Sequence, residues 1–260
     1  MNINNISEKG GTDISIIMPA LNEENNIQHA ISSTLEAFAY CNINGEIIVV
    51  NDGSADKTEN LVRDLSGSVK CLRLLNHEVP QGIGASFWDG VDNARGNTIC
   101  MLPGDNENDP LEIFRYYNLL EHVDIVIPFV YNNQMRSFYR SALSFVYRFI
   151  VNSTFLVNLN YTNGTVLYKK SILKELEYRS SGFFFQTDIL IRLIKRGYLF
   201  AEVPYRLGQR KGGISKAVSF PSLIQVIKGY IRLTRDQYYA RSEKETKEFL
   251  DGTVTAKRSK

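Results

Sequence analysis

The chain has 260 residues, 43% hydrophobic and 22% charged, with a formal net charge of +2. That length buries a full core unaided, and so small a net charge gives no ground for nucleic acid as a partner. No run reaches the roughly 18 to 20 apolar residues that cross a bilayer, and residues 1–12 are polar without a signal-peptide core, so a cytoplasmic location is expected. Cys41, Cys71 and Cys100 are odd in number and widely spaced, which suits free thiols in a reducing compartment.

Residues 13–21 read as a buried strand ending on the polar turn Asn22-Glu23-Glu24-Asn25-Asn26, after which Ile27, Ile31, Leu35 and Phe38 recur at helical spacing. The plan repeats at 46–54, where a β-branched run breaks at Asn51, Asp52 and Gly53 before a helix over 57–65. A third strand, 69–75, leads through Gln81-Gly82-Ile83-Gly84 into a helix to Ala94, and a fourth, 98–102, empties into Pro103-Gly-Asp-Asn-Glu-Asn-Asp-Pro110. Four such units in sequence predict a mainly parallel sheet with helices on both faces. Beyond it, 111–121 reads as a helix, 124–128 as a strand, 136–156 as an aromatic and basic helix, 162–168 as a strand and 171–176 as a short helix. An amphipathic helix over 189–196, a strand over 198–203, the basic loop 209–216 and a second amphipathic helix over 223–233 complete the chain. The expected organisation is a disordered start at 1–12, one domain over 13–218, an amphipathic helical extension over 219–241 and a disordered charged tail over 242–260.

In open α/β sheets, ligands sit outside the carboxyl ends of the strands, so Asp52 and the carboxylates Asp105, Glu107 and Asp109 fall on one edge. Asp52 suits a base and ribose, and Asp105 with Glu107 suits oxygen ligation of Mg²⁺ or Mn²⁺; Asp, Asn and Gly at strand ends also serve simply as turn formers. The Gln81-Gly-Ile-Gly turn could offer backbone N–H groups to a phosphate, but it lacks the third glycine of a dinucleotide site. Three cationic residues and two glycines in 210–216 have the composition either of a phosphate clamp or of a solvated basic loop. His29, His77 and His122 show no metal-ligand spacing and receive no role; Trp88 and the many Tyr and Phe residues read mainly as core.

Together these stretches resemble the family 2 glycosyltransferases of GT-A fold, most closely the dolichol-phosphate mannose synthase-like branch that loads sugars onto polyprenyl phosphates. Ile17-Met-Pro-Ala-Leu-Asn-Glu-Glu is similar to the family's opening strand and P-x-x-N-E turn, Val49-Val-Asn-Asp-Gly-Ser-Ala-Asp to its V-D-D-G-S-x-D turn, and Gln81-Gly-Ile-Gly-Ala with Gly90, Ala94, Arg95 and Gly96 to its G-L-G-A…G…A-x-G segment. Gly182-Phe-Phe-Phe-Gln-Thr-Asp, Arg192, Gly197-Tyr, Glu202-Val-Pro and Arg210-Lys-Gly-Gly-Ile-Ser-Lys are similar to motifs of that branch. The resemblance implies a Rossmann-like GT-A sheet with the helical extension after it. It implies a nucleotide-sugar donor held by Pro19, Asn22, Glu23, Asn51, Asp52, Gly82, Gly84, Gly104 and Asp105, and a divalent cation, Mg²⁺ or Mn²⁺, on Asp105 and Glu107. Acceptor or phosphate contacts are implied for Arg136, Arg140, Gln186, Arg210, Ser215 and Lys216, with Asp105, Asp188, Arg210 and Lys216 as the catalytic set.

The sequence departs from the pattern at Pro103, where the first carboxylate of the family's D-x-D stands, at Asn51 and at Asn160. The expected activity is inverting transfer to a polyprenyl phosphate, whose oxygen is already anionic and needs positioning more than a base. Two alternatives stand beside it: transfer to a saccharide hydroxyl in cell-surface polysaccharide or lipopolysaccharide synthesis, with Asp188 as base, and a degenerate nucleotide-sugar-binding module. The helices over 136–156 and 223–233 either lie peripherally on a membrane or dock on the sheet, and a membrane partner protein is the other source of an anchor.

Overall fold

The computed structural model describes residues 11–131, 138–206, 220–239 and 248–259. Strand β1 (Ile14–Ala20) is followed by α1 (Ile27–Cys41), β2 (Gly45–Asp52), α2 (Thr58–Ser66), β3 (Leu72–His77), α3 (Ile83–Asn93), β4 (Thr98–Met101) and α4 (Pro110–Phe114). Then come β5 (Ile125–Val130), α5 (Phe138–Phe155), β6 (Leu167–Lys169), α6 (Lys170–Leu173), α7 (Phe185–Arg196), β7 (Phe200–Tyr205), α8 (Phe220–Tyr238) and α9 (Val254–Ser259). The seven strands lie in the order β3-β2-β1-β4-β6-β5-β7, and only β6 runs against its neighbours. The mainly parallel α/β sheet expected from the sequence is therefore present.

Every residue of β1 and β2 is buried, as in strands covered on both faces. Alternation divides them: Ile14, Ile16, Met18, Ile47 and Val49 pack with α1, α2 and α4, while Ile17, Ile48 and Val50 pack with α3, α5 and α7. Both layers hold the carboxyl edge of β1, β2 and β4 in register, with Ala20 beside Asn51 and Asp52 beside His77.

Several elements differ from expectation for identifiable reasons. The helix expected over 111–121 breaks into α4 and a 3-10 turn, Tyr117–Glu121, because the Tyr116 hydroxyl and Arg115 both reach the Pro204 carbonyl, at 2.8 and 3.3 Å. Of the strand expected over 162–168 only the end pairs; Thr162, Asn163 and Gly164 instead contact the first turn of α7. Helix α7 starts four residues early because Gln186, Thr187 and Asp188 are polar in sequence yet buried, so no apolar periodicity marks its first turn.

The disorder expected over 242–260 is corrected for residues 248–259. Asp124, fully buried, accepts from the Val254 and Thr255 amides at 2.7 and 2.9 Å and from the Thr255 hydroxyl, which itself accepts from the Leu199 amide at 2.9 Å. Phe249 lies edge-on to Tyr198 with ring centres 5.4 Å apart. A short charged segment is thus anchored by one buried carboxylate and one aromatic contact.

The three cysteines are free, and burial pushes all three thiols up, away from the reactive thiolate form. No helix among the described residues is long and apolar enough to cross a membrane.

Candidate functional site

The loops after β1 and β2 are built as one unit. The Asn22 amide donates to Ser54 Oγ at 3.0 Å and Asn22 Oδ1 accepts from the Ala55 amide at 2.8 Å. One residue on, the Glu23 amide donates to Thr58 Oγ1 at 2.8 Å, and the Glu24 amide to Asp56 Oδ2 at 3.1 Å. Glu24 returns the exchange by accepting from the Lys57 amide at 3.0 Å. Asn22 has φ of 58°, a left-handed conformation that asparagine tolerates better than most side chains. The polar turn read from the sequence is therefore a clasp between strand ends, which keeps the sheet edge rigid around any ligand.

Asn51, 1% exposed, donates to Asn76 Oδ1 at 3.1 Å and accepts from the Ser54 amide at 3.3 Å, while Asn76 donates onward to Glu59 at 3.1 Å. An aspartate at 51 would lose the donor that starts this chain, which accounts for the amide at this position. Asp52 Oδ1 accepts from the Gln81 amide at 2.8 Å and Oδ2 from the Gly82 amide at 2.9 Å. The ring of His77 lies between Asp52 Oδ1, 2.7 Å from Nδ1, and Asp89 Oδ2, 2.9 Å from Nε2. His77, given no role from the sequence, is thus in the site; its signal was the parallel register that sets it beside Asp52, which spacing along the chain does not reveal.

The glycine turn does not present an open amide cradle. Gly84 and Ala85 both donate to the Ser181 carbonyl, at 2.9 and 3.3 Å. A Cβ on Gly84 would stand 2.4 Å from the Ser180 carbonyl oxygen, so the glycine is needed for this approach. Gly82 and Gly84 fasten α3 to the segment leading into α7, and the reading of their N–H groups as phosphate ligands is corrected to that extent.

After β4, Gly104 donates to the Pro19 carbonyl at 3.0 Å, and a Cβ there would come 2.8 Å from Ile27 Cδ1. Asp105 follows, half-buried, with Oδ1 accepting from the Glu107 amide at 3.1 Å. Asn106 between them has φ of 57°, so the turn brings Asp105 and Glu107 to the same loop tip. Asp109, the third carboxylate of this loop, accepts from the Leu111 amide at 2.9 Å and caps α4, whose first residue is Pro110. Among the described residues no group of three or more His, Cys, Asp and Glu converges as a metal cage. Two carboxylates on one turn nonetheless fit a hard cation that takes its remaining ligands from water and substrate phosphate.

Gln186 and Asp188, which the resemblance assigns to the acceptor and catalytic sets, lie on the first turn of α7. Gln186 donates to the Gly164 carbonyl, and Thr187 Oγ1 is 3.1 Å from Asn163 Oδ1 and 2.7 Å from the Tyr147 hydroxyl. Burial pushes the Tyr147 phenol up to about 12 against the pull of these hydrogen bonds. The unfolded chain ionises its tyrosines first, near 10, so the stability tied to Tyr147 is intact below pH 10 and is lost as pH rises toward 12. Tyr147→Phe is expected to lessen that alkaline loss, seen in urea midpoints compared at pH 8 and 11.

Asp188, 2% exposed, accepts from Arg192 Nε at 2.9 Å, and Arg192 donates to Asp236 at 2.7 Å, tying α7 to α8. Burial raises the Asp188 carboxyl above its ordinary range, and Arg192 opposes that rise. Asn160 grips Glu202 with its amide N–H at 2.6 Å and its side-chain Nδ2 at 2.9 Å. An aspartate at 160 would set a carboxylate against a carboxylate. The side chain of Arg140, on α5, and residues Arg136, Arg210, Ser215 and Lys216 lie outside the described residues.

This edge, with a hydrogen-bonded clasp after β1 and β2 and a carboxylate turn after β4 on a mainly parallel sheet, is that of a GT-A fold. The fold neighbours agree: glucosyl-3-phosphoglycerate synthase from Mycobacterium tuberculosis, crystallised with Mn²⁺, uridine diphosphate and phosphoglyceric acid, superposes with a TM-score of 0.66 at 21% identity over 90% of this chain and 82% of that one. Its complex with Mg²⁺ and uridine diphosphate gives 0.65 at 20% identity, covering 90% and 84%. Residues 15–177 match the model of Glycosyl transferase family 2, and the chain belongs to that family.

Among curated relatives, dodecaprenyl-phosphate galacturonate synthase of Rhizobium johnstonii is 27% identical over 169 residues, 64% of this chain and 50% of that protein. Dolichyl-phosphate beta-glucosyltransferase of Trichomonas vaginalis is 33% identical over 105 residues, 38% and 32% of the two chains. An uncharacterized glycosyltransferase of Synechocystis is 34% identical over 98 residues, 38% and 31%. The chain thus spans half or less of the length of these relatives.

Proposed function

We propose that the protein is an inverting glycosyltransferase that moves a sugar from a nucleotide-sugar to a polyprenyl phosphate at a membrane surface. The observation that carries the lipid acceptor is a solvent-facing apolar surface on α5 and α8. Phe149 is 63% exposed and Ile231 60%, and Leu143, Phe145, Val146, Leu223 and Ile227 are exposed with them. Helix α5 contains no Asp or Glu, and the single acid of α8, Asp236, is turned inward to Arg192, whereas Lys228, Arg232 and Arg235 line the surface around Ile231. Apolar side chains ringed by cations suit the interface of a bilayer carrying anionic lipid.

The two helices are joined through Thr154, which meets the Tyr230 hydroxyl at 2.6 Å and accepts at its carbonyl from the Tyr238 hydroxyl at 2.5 Å. Gln225 packs on Gly182 and Phe184 on Gly229, so the surface adjoins the segment that fastens α3. An acceptor phosphate projecting from the bilayer would therefore be close to the donor edge.

In this reading Asp52, with Pro19, Asn22, Glu23, Asn51 and Gly104 shaping the edge, positions the nucleotide. Asp105 and Glu107 would hold Mg²⁺ or Mn²⁺, which when bound neutralises charge on the diphosphate. An oxygen of the acceptor phosphate forms the new bond to the anomeric carbon from the face opposite the departing nucleoside diphosphate, which leaves with the electrons of the broken bond. Configuration inverts, and no proton has to be removed. The reading assigns Arg136, Arg140, Arg210, Ser215 and Lys216 to phosphate binding and Gln186 to the wall of the acceptor side. A saccharide hydroxyl would need a base; the pairing of Asp188 with Arg192 favours the phosphate acceptor instead.

The double variant Phe149→Glu, Ile227→Glu tests the lipid surface. It is expected to lose co-sedimentation with anionic vesicles and most transfer to vesicle-borne undecaprenyl phosphate, while keeping transfer to short, water-soluble citronellyl phosphate. Full transfer to the vesicle-borne acceptor by the variant, or a preference of the wild type for saccharide acceptors, contradicts the proposal.

A further inference from the structure

We propose that His77 is a positioning residue of the donor site, holding the Asp52 carboxylate in place for the nucleoside diphosphate part of the donor. The inference rests on the donor reading above and adds a residue to it. Both ring nitrogens face carboxylate oxygens, Asp52 Oδ1 at 2.7 Å and Asp89 Oδ2 at 2.9 Å. The ring therefore bridges two carboxylates, with one nitrogen turned to each. The His77 and Asp52 side chains are 8% and 7% exposed, and that of Asp89 is 48% exposed. Asp89 therefore tethers the outer side of the ring while the inner side meets the buried carboxylate.

The Asp52 carboxylate is fixed from two elements. His77 ends β3 and is the register partner of Asp52 at the end of β2. The Gln81 and Gly82 amides close the turn before α3 onto the same two oxygens. Oδ1 takes two donors and Oδ2 one, so Oδ2 has the remaining capacity to accept from a base or ribose. Without the His77 ring, the carboxylate would be held from the turn alone, and the nucleotide would have to order it on binding. That cost falls on donor affinity rather than on the chemical step.

The test uses the full chain, with UDP and GDP as probes in the presence of Mn²⁺. His77→Ala is expected to weaken nucleotide binding and raise the donor KM by about tenfold, the effect of losing one charged hydrogen bond, with kcat within about threefold. His77→Asn, which keeps a donor at the place of Nδ1, is expected to restore much of the affinity. Binding within twofold of wild type in His77→Ala, or equal losses in kcat and kcat/KM, overturns the proposal. ¹⁵N NMR of the wild-type ring supplies a readout independent of turnover: a proton on Nδ1, the nitrogen facing Asp52, upholds the clamp, and an Nδ1 without one overturns it. If the wild type binds neither nucleotide while Nδ1 carries its proton, the donor reading fails and His77 remains only the anchor of the Asp52 turn.

Discussion

Asp105→Ala is expected to lower kcat for sugar transfer by about two to three orders of magnitude, the scale lost when a group that stabilises leaving-group charge is removed. Asp105 does two things that alanine cannot: it presents a carboxylate on the loop after β4, and its Oδ1 accepts from the Glu107 amide at 3.1 Å. Asp105→Asn separates them, because the amide oxygen can still close the turn while the charge is gone. The asparagine variant should therefore fold as the wild type does, with nearly the same thermal midpoint, and still lose most of its turnover. Steady-state rates and thermal melts of the two variants decide the matter; an active Asp105→Ala would remove Asp105 from the chemistry and leave it as a turn residue. Because Pro103 occupies the position of the family's first carboxylate, Glu107→Gln should also be costly, the loop having no nearer acid to replace it.

Asp124→Ala is expected to cost about 3 kcal/mol of folding stability, although the residue is not among the candidate site residues. Its carboxylate is fully buried, with Lys169 Nζ 3.5 Å away, and it receives the amides of Val254 and Thr255. Alanine leaves those donors without an acceptor and releases α9 and the Phe249 contact from β5 and Tyr198. Urea unfolding of the full chain gives the energy, and limited proteolysis should show cleavage after residue 247 appearing first. Asp124→Asn, which keeps one acceptor oxygen, should lose less. A change under about 0.5 kcal/mol in Asp124→Ala would mean that the segment is held by its aromatic contact alone.

The sheet was legible because β1, β2 and β4 are continuous apolar runs that end on polar turns, and that pattern has few folded solutions. The same pattern placed Asp52 and Asp105 on one edge. What stayed hidden depended on contacts between distant parts of the chain. His77 reads as an ordinary strand-end histidine until β3 is set beside β2. Gly84 reads as a phosphate-turn glycine until Ser181 is seen to occupy the amides it exposes. The docked segment 248–259 is short and charged, and its anchor Asp124 lies more than 120 residues upstream. The early start of α7 was masked because its first turn carries the polar residues Gln186, Thr187 and Asp188, which are buried by contacts that spacing along the chain does not reveal.

The departures from the family pattern became interpretable through partners. Asn51 begins a donor chain to Asn76 and Glu59, and Asn160 clasps Glu202, so each amide supplies N–H groups that an aspartate lacks. These replacements support the local structure around the edge and give no reason to read the chain as an inactive relative.

Incubation of the full chain with UDP- and GDP-sugars, Mn²⁺ and undecaprenyl phosphate, with and without chelator, tests the central claim most directly. Sugar is expected in an organic-extractable phosphodiester of inverted anomeric configuration, formed only when metal is present. Sugar appearing in a water-soluble saccharide product, or donor bound with no glycolipid formed, would contradict it.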